Sequence, residues 1–230
     1  DTGRMPGILA GADDAPRLAR IVNRHHAVGS GAGHDLLHGI LLTRGSGAVF
    51  RIIPPKIMPL GQLGMPEPVQ RLAAMESGLV LVTGPTGSGK STTLAAIINL
   101  INETRNYHII TIEDPIEFVH QCKKSVIVHR EVGEHTQTFG AALKGAMPHD
   151  PDIVLLGEMR EMETIKLALS CASMGMLVFG TLHTNNARKT VDRLVNVFPS
   201  DQQSQVRTML AGSLRGVVAQ LLLRRCDVEG

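Results

Sequence analysis

Four short groups of residues in this chain have the types and spacing for phosphate chemistry. The first is GPTGSGKST at positions 84–92, which contains the whole pattern G-x-x-x-x-G-K-[ST]. In that segment Gly84, Pro85, Thr86, Gly87, Ser88 and Gly89 make a loop whose glycines can wrap phosphate oxygens without Cβ clashes. Lys90 is spaced to bridge β- and γ-phosphates, the Ser91 hydroxyl to ligate Mg²⁺, and Thr92 closes the motif. The bland alternative is a glycine-rich turn that binds nothing. An apolar run before the loop and a helix-periodic stretch after it argue for the nucleotide, because that context aims backbone N–H groups at one spot. The expected ligands are ATP and Mg²⁺.

The other three groups are polar residues that follow apolar runs. HIITIEDPIE delivers Glu113, Asp114 and Glu117 in five residues, with Pro115 fixing the turn. Hydrolysis needs a group to orient and deprotonate water, and Glu113 or Glu117 would supply it. The alternative is a solvated acidic loop. PDIVLLGE ends in Glu158, a candidate partner of Mg²⁺ or water rather than a plain surface glutamate. LVFGTLHT carries His183 just after its apolar run. A lone histidine is more often structural, but one that ends a buried strand in a chain with a phosphate loop reads as a γ-phosphate sensor.

These groups meet only if strands and helices carry them to one edge. Apolar runs predict strands over 79–83, 109–112, 126–128, 153–156 and 177–181. Helix-periodic stretches predict helices over 91–101, 138–145, 161–174 and 187–195, with Gly175 ending the third. A last helix is expected from Ser200, capped by a Ser200–Gln203 box, to about Leu223. Alternation of this kind predicts an α/β fold with a mostly parallel sheet and nucleotide at the strands' C-terminal edge.

The N-terminal 48 residues show weak periodicity and read as irregular, followed by a strand over 48–53. Residues 57–68 are rich in proline and glycine and read as an extended linker, followed by a short helix over 69–76. The expected division is an incomplete N-terminal lobe over 1–58, a linker over 59–68 and an ATPase domain over 69–230.

Bulk composition narrows the partners. The 230 residues are 43% hydrophobic, enough for a core, and the formal charge of +2 offers no broad basic face for nucleic acid. With no Trp, one Tyr and five Phe, stacking platforms for single strands are not expected either. Cys122, Cys171 and Cys226 form no C-x-x-C pair, which disfavours a zinc site and fits a reducing cytoplasm. No apolar stretch is long enough to span a bilayer, so membrane contact is expected only through a partner.

Taken in order, GPTGSGKST, TIEDPIEFVH, DIVLLGEMRE and LVFGTLHTN resemble the bacterial secretion ATPases, most closely the type IV pilus retraction (PilT) family. RIIPPKIMPLGQLGMP and FPSDQQSQVRTMLAGSLRGVVAQLLL are similar to its interdomain linker and helical continuation, so the resemblance covers about residues 48–225. It implies a RecA-like phosphate-loop core, hexameric assembly, ATP hydrolysis between two lobes and an inner-membrane pilus platform protein as partner. Glu113 or Glu117 would then be the base, Glu158 would assist at Mg²⁺, and His183 would sense the γ-phosphate. Arg51, with Arg44, would be a surviving arginine that reaches the nucleotide. The absence of a tetracysteine site favours retraction over assembly or type II secretion. Residues 1–45, Pro148-His149 and Met176 depart from the family pattern. They motivate a second expectation, a nucleotide-binding paralogue that acts as a non-catalytic subunit.

Overall fold

The computed structural model describes residues 56–223 and two short strands, β1 (Leu9–Ala10) and β2 (Ala48–Val49). These two pair antiparallel, Leu9 opposite Val49. The rest of the strand expected over 48–53 lies outside the described residues, as do Arg44 and Arg51.

The compact unit Ile57–Arg224 is organised by one six-stranded sheet. Its strands are β3 (Gly78–Thr83), β4 (His108–Glu113), β5 (Val126–Glu131), β6 (Ile153–Leu156), β7 (Leu177–Leu182) and β8 (Leu214–Ala219). They lie in the order β5-β4-β6-β7-β3-β8, and all adjacent pairs are parallel. β3, β6 and β7 are buried at every position, as expected when helices cover both faces of a parallel sheet.

Successive side chains in a strand point to opposite faces, and the core divides accordingly. On one face Leu79, Leu81, Ile110, Ile112 and Val178 pack with apolar residues of α3 (Phe139–Ala146), α4 (Met162–Ser173), α5 (Ala187–Asn196) and α6 (Ser200–Ser213). On the other, Val80, Val82, Ile109, Ile127 and Phe179 pack with α2 (Lys90–Thr104) and with α1 (Glu67–Leu72). Thr111 and Glu113 fall in phase with Ile109 and therefore project on the face that carries α2.

Helix boundaries follow local chemistry. The Thr138 hydroxyl accepts the Ala141 N–H at 3.0 Å and starts α3, which ends before Pro148 in a 3₁₀ turn, Met147–His149. Asn186 caps α5 by accepting the Lys189 N–H at 2.8 Å. Gly175 follows α4 at φ +105°, as its expected terminator.

Three expectations fail. The last helix stops at Ser213, and Leu214–Ala219 is a strand. The apolar spacing there suits a helix, but Gly216 and the β-branched pair Val217-Val218 favour extension, and the edge of β3 receives them opposite Val80, Leu81 and Val82. The Ser200–Gln203 box does not form either. Ser200 is already helical, and Gln203 Nε2 donates instead to the Phe198 carbonyl at 3.0 Å. The expected linker also turns tightly rather than extending, with Gln62 N–H bonded to Pro59 O at 3.0 Å and Leu60 buried in the core.

Candidate active site

Because the sheet is parallel, β3, β4, β6 and β7 all deliver their C-terminal ends to one edge. β3 leads into the phosphate loop, where Gly84, Gly87 and Gly89 take φ of +150°, +79° and +87°. Gly84 has a second constraint: a Cβ there would lie 2.3 Å from the Gln220 carbonyl. Gly89 is the N-cap of α2, so the first N–H groups of the helix open toward the loop. Lys90 is buried, and its Nζ donates to the carbonyls of Gly84 at 3.0 Å and Pro85 at 3.1 Å. Burial lowers the Lys90 pKa, against opposing pulls from Glu158 and Glu117. Ser88 Oγ is buried in the loop without a hydrogen-bond partner.

Glu113 ends β4, and burial raises its carboxyl pKa to about 7. Hydrogen bonds from Thr111 and the Glu117 backbone oppose that rise, while the charges of Glu117 and Glu131 add to it. The loop that follows contains a cis Asp114–Pro115 bond. It is pinned by Ile116 N–H donating to Glu131 Oε2 at 3.1 Å. Gly157 allows the end of β6 to pass close by, since a Cβ there would lie 3.2 Å from Glu113 Cα. Between them is a cavity of about 20 Å³, room for one water, with Ser91, Glu113, His120, Gly157 and Thr181 on its polar side and Leu94, Ala95, Phe118 and Leu155 on its apolar side.

Glu158 and His183 meet at the ends of β6 and β7. His183 Nε2 donates to Glu158 Oε1 at 2.9 Å, and Arg160 Nε donates to the same oxygen. Glu158 is thus held from two sides in a partly exposed position. Of the residues expected from the sequence, Ser91 and Glu113 share the cavity, Lys90 begins α2 with its Nζ turned back to the loop, and Glu158 and His183 form a contact pair. Thr111, His120, His129, Glu131 and Arg160 were not foreseen. Thr111, His120 and Arg160 lie inside TIEDPIEFVH and DIVLLGEMRE, but what each one touches depends on side-chain direction and on pairing with β5, which the strings do not carry.

Residues 40–229 match the family described as type II/IV secretion system protein. The chain belongs to this family. It is 56% identical over 182 residues to the type IV pilus retraction ATPase PilT of Pseudomonas aeruginosa, covering 79% of this chain and 53% of that protein. A twitching motility protein of Neisseria gonorrhoeae is 58% identical over 187 residues, covering 81% of this chain and 50% of its own length. The crystal structure of the pilus retraction motor PilT with bound ADP superposes with a TM-score of 0.82 at 44% identity, covering 94% of this chain and 67% of that one. The chain therefore spans about half the length of the curated relatives it matches. These likenesses bear out the family resemblance and the RecA-like fold expected from the sequence.

Proposed function

We propose that this chain binds and hydrolyses ATP as the nucleotide-handling part of a type IV pilus retraction motor. One observation carries the reading: the glycine loop, its buried Lys90 and the carboxylates Glu113 and Glu158 all lie at the C-terminal edge of one parallel sheet. The similarity to retraction ATPases supports retraction over assembly or type II secretion.

On this reading the triphosphate takes the place that Gly84 and Pro85 carbonyls hold at Lys90. Ser91 and Glu158 fit Mg²⁺ chemically, being a hydroxyl and a carboxylate, the hard oxygen donors that ion takes alongside phosphate oxygens and waters. When bound, Mg²⁺ offsets charge on the phosphoryl oxygens. Glu113, with a pKa near the working pH, takes the proton of the attacking water. Glu117 tunes it through its charge and its backbone N–H. His183, oriented by Glu158, faces the γ-phosphate and reports its loss. The protein assembles as a homo-hexamer at the cytoplasmic side of the inner membrane and acts on the pilus platform protein.

Lys90→Ala is expected to abolish ATP binding in calorimetry. Glu113→Gln is expected to keep binding while turnover falls by about 10²–10⁴-fold. Phosphate release at the wild-type rate from Glu113→Gln would remove Glu113 as the base. ATP binding with no phosphate release from the wild type would favour the non-catalytic subunit instead.

A further inference from the structure

Thr111 and His129 lie opposite each other across β4 and β5, and so do Glu113 and Glu131. All four side chains therefore share one sheet face, the one carrying α2. His129 Nδ1 is 2.7 Å from Thr111 Oγ1 and 3.9 Å from Glu113 Oε1. The other ring nitrogen, Nε2, accepts the backbone N–H of His120 at 3.1 Å. The His120 ring stacks on that of His129 with centroids 5.8 Å apart and planes 15° apart, which fixes the plane of the imidazole.

We propose that His129 is a positioning residue for Glu113, acting through Thr111. The His120 N–H can be accepted only by a lone pair on Nε2, so the ring proton resides on Nδ1. The His120 carbonyl, 3.4 Å from Nε2, would suit the other tautomer, but a hydrogen on Nε2 would then face the amide hydrogen at the shorter distance. Nδ1–H donates to Thr111 Oγ1, which leaves the Thr111 O–H free to turn toward the Glu113 carboxylate, whose Oε1 lies 3.9 Å from the same Nδ1. With the opposite tautomer Thr111 would spend its hydrogen on His129, and Glu113 would lose its donor. Burial keeps His129 below its usual pKa, so the ring stays neutral while it does this. Neither His129 nor Thr111 has a hydrogen bond to the phosphate loop. Their effect falls on where the carboxylate points.

The proposal rests on Glu113 being the base, and the test separates the two. In the full chain, His129→Leu and Thr111→Val are each expected to lower kcat roughly ten- to a hundredfold with KM for ATP within about twofold, as misaimed catalytic groups do. Thr111→Ser, which keeps the hydroxyl, is expected to restore most of the rate. The double variant His129→Leu/Thr111→Val is expected to be no slower than Thr111→Val alone; additive losses would overturn the route through Thr111. If Glu113→Gln is inactive while His129→Leu turns over normally, the base stands and this proposal falls. Long-range ¹⁵N–¹H spectra of the wild type read the tautomer without any variant: a proton on Nδ1 is expected, and one on Nε2 refutes the proposal.

Discussion

Glu113 holds a proton more readily in the folded chain than in the unfolded one, because burial raises its pKa from 4.5 to about 7. A carboxylate raised in this way stabilises the fold fully below pH 4.5, and the contribution is lost as pH rises through about 7. The loss is on the order of 3 kcal/mol by linkage. His120 slopes the other way. Burial first, then His129 and Lys123, hold it down to about 4, so its contribution is lost as pH falls toward that value. Comparing Glu113→Gln with the wild type cancels the His120 contribution. The variant is expected to resist urea better at pH 8, with the gap closing toward pH 4.5, and equal midpoints throughout would contradict the burial. The same carboxyl is expected to give kcat/KM for ATP an acid limb near pH 7, checked by initial rates across pH 5–9.

At the scale of elements, tight crossings decide which glycines tolerate a methyl group. A Cβ on Gly180 in β7 would lie 2.2 Å from Met159 Sδ, and Met159 is itself 2% exposed with no route to solvent. Gly180→Ala is expected to cost about 1–3 kcal/mol in urea unfolding, as overpacking does. Gly212 in α6 has nothing within 4 Å, so Gly212→Ala is expected to be neutral or to gain up to about 1 kcal/mol. What the sequence made legible follows the same distinction between local and long-range causes. The phosphate loop could be read because its nine residues are contiguous and their flanks have clear periods. LRGVVAQLLL satisfies helix and strand spacing alike, and it becomes β8 because the edge of β3, far earlier in the chain, accepts it. Thr111, His120 and His129 were opaque for a related reason. Their meeting depends on the register between β4 and β5, which no short motif encodes.

For the molecule as a whole, the site is an open edge rather than a closed pocket. The side chains of Glu158 and His183 are 21% and 41% exposed, so water reaches the place where charge would develop. Efficient hydrolysis calls for a cover that excludes bulk solvent around the one attacking water, and the proposed homo-hexamer would supply one from a neighbouring subunit. Native mass measurements of the protein are expected to show a hexamer in the presence of ATP, and a monomer at every nucleotide concentration would oppose the motor reading. ATP at a hundred times its Kd is expected to add about 2.7 kcal/mol to stability by mass action, with no gain in Lys90→Ala. No helix among the described residues is long and apolar enough to cross a membrane. The end of β8 is tied to the start of the phosphate loop. Gln220 donates its N–H to Thr83 O at 2.7 Å and its side-chain amide to Thr93 Oγ1 at 2.9 Å, while its carbonyl lies where a Gly84 side chain would be. The start of the loop and the tail of the sheet are thus leashed together. A displacement of Gly84 would therefore be met first by Gln220, next to the exposed leucines at 221–223.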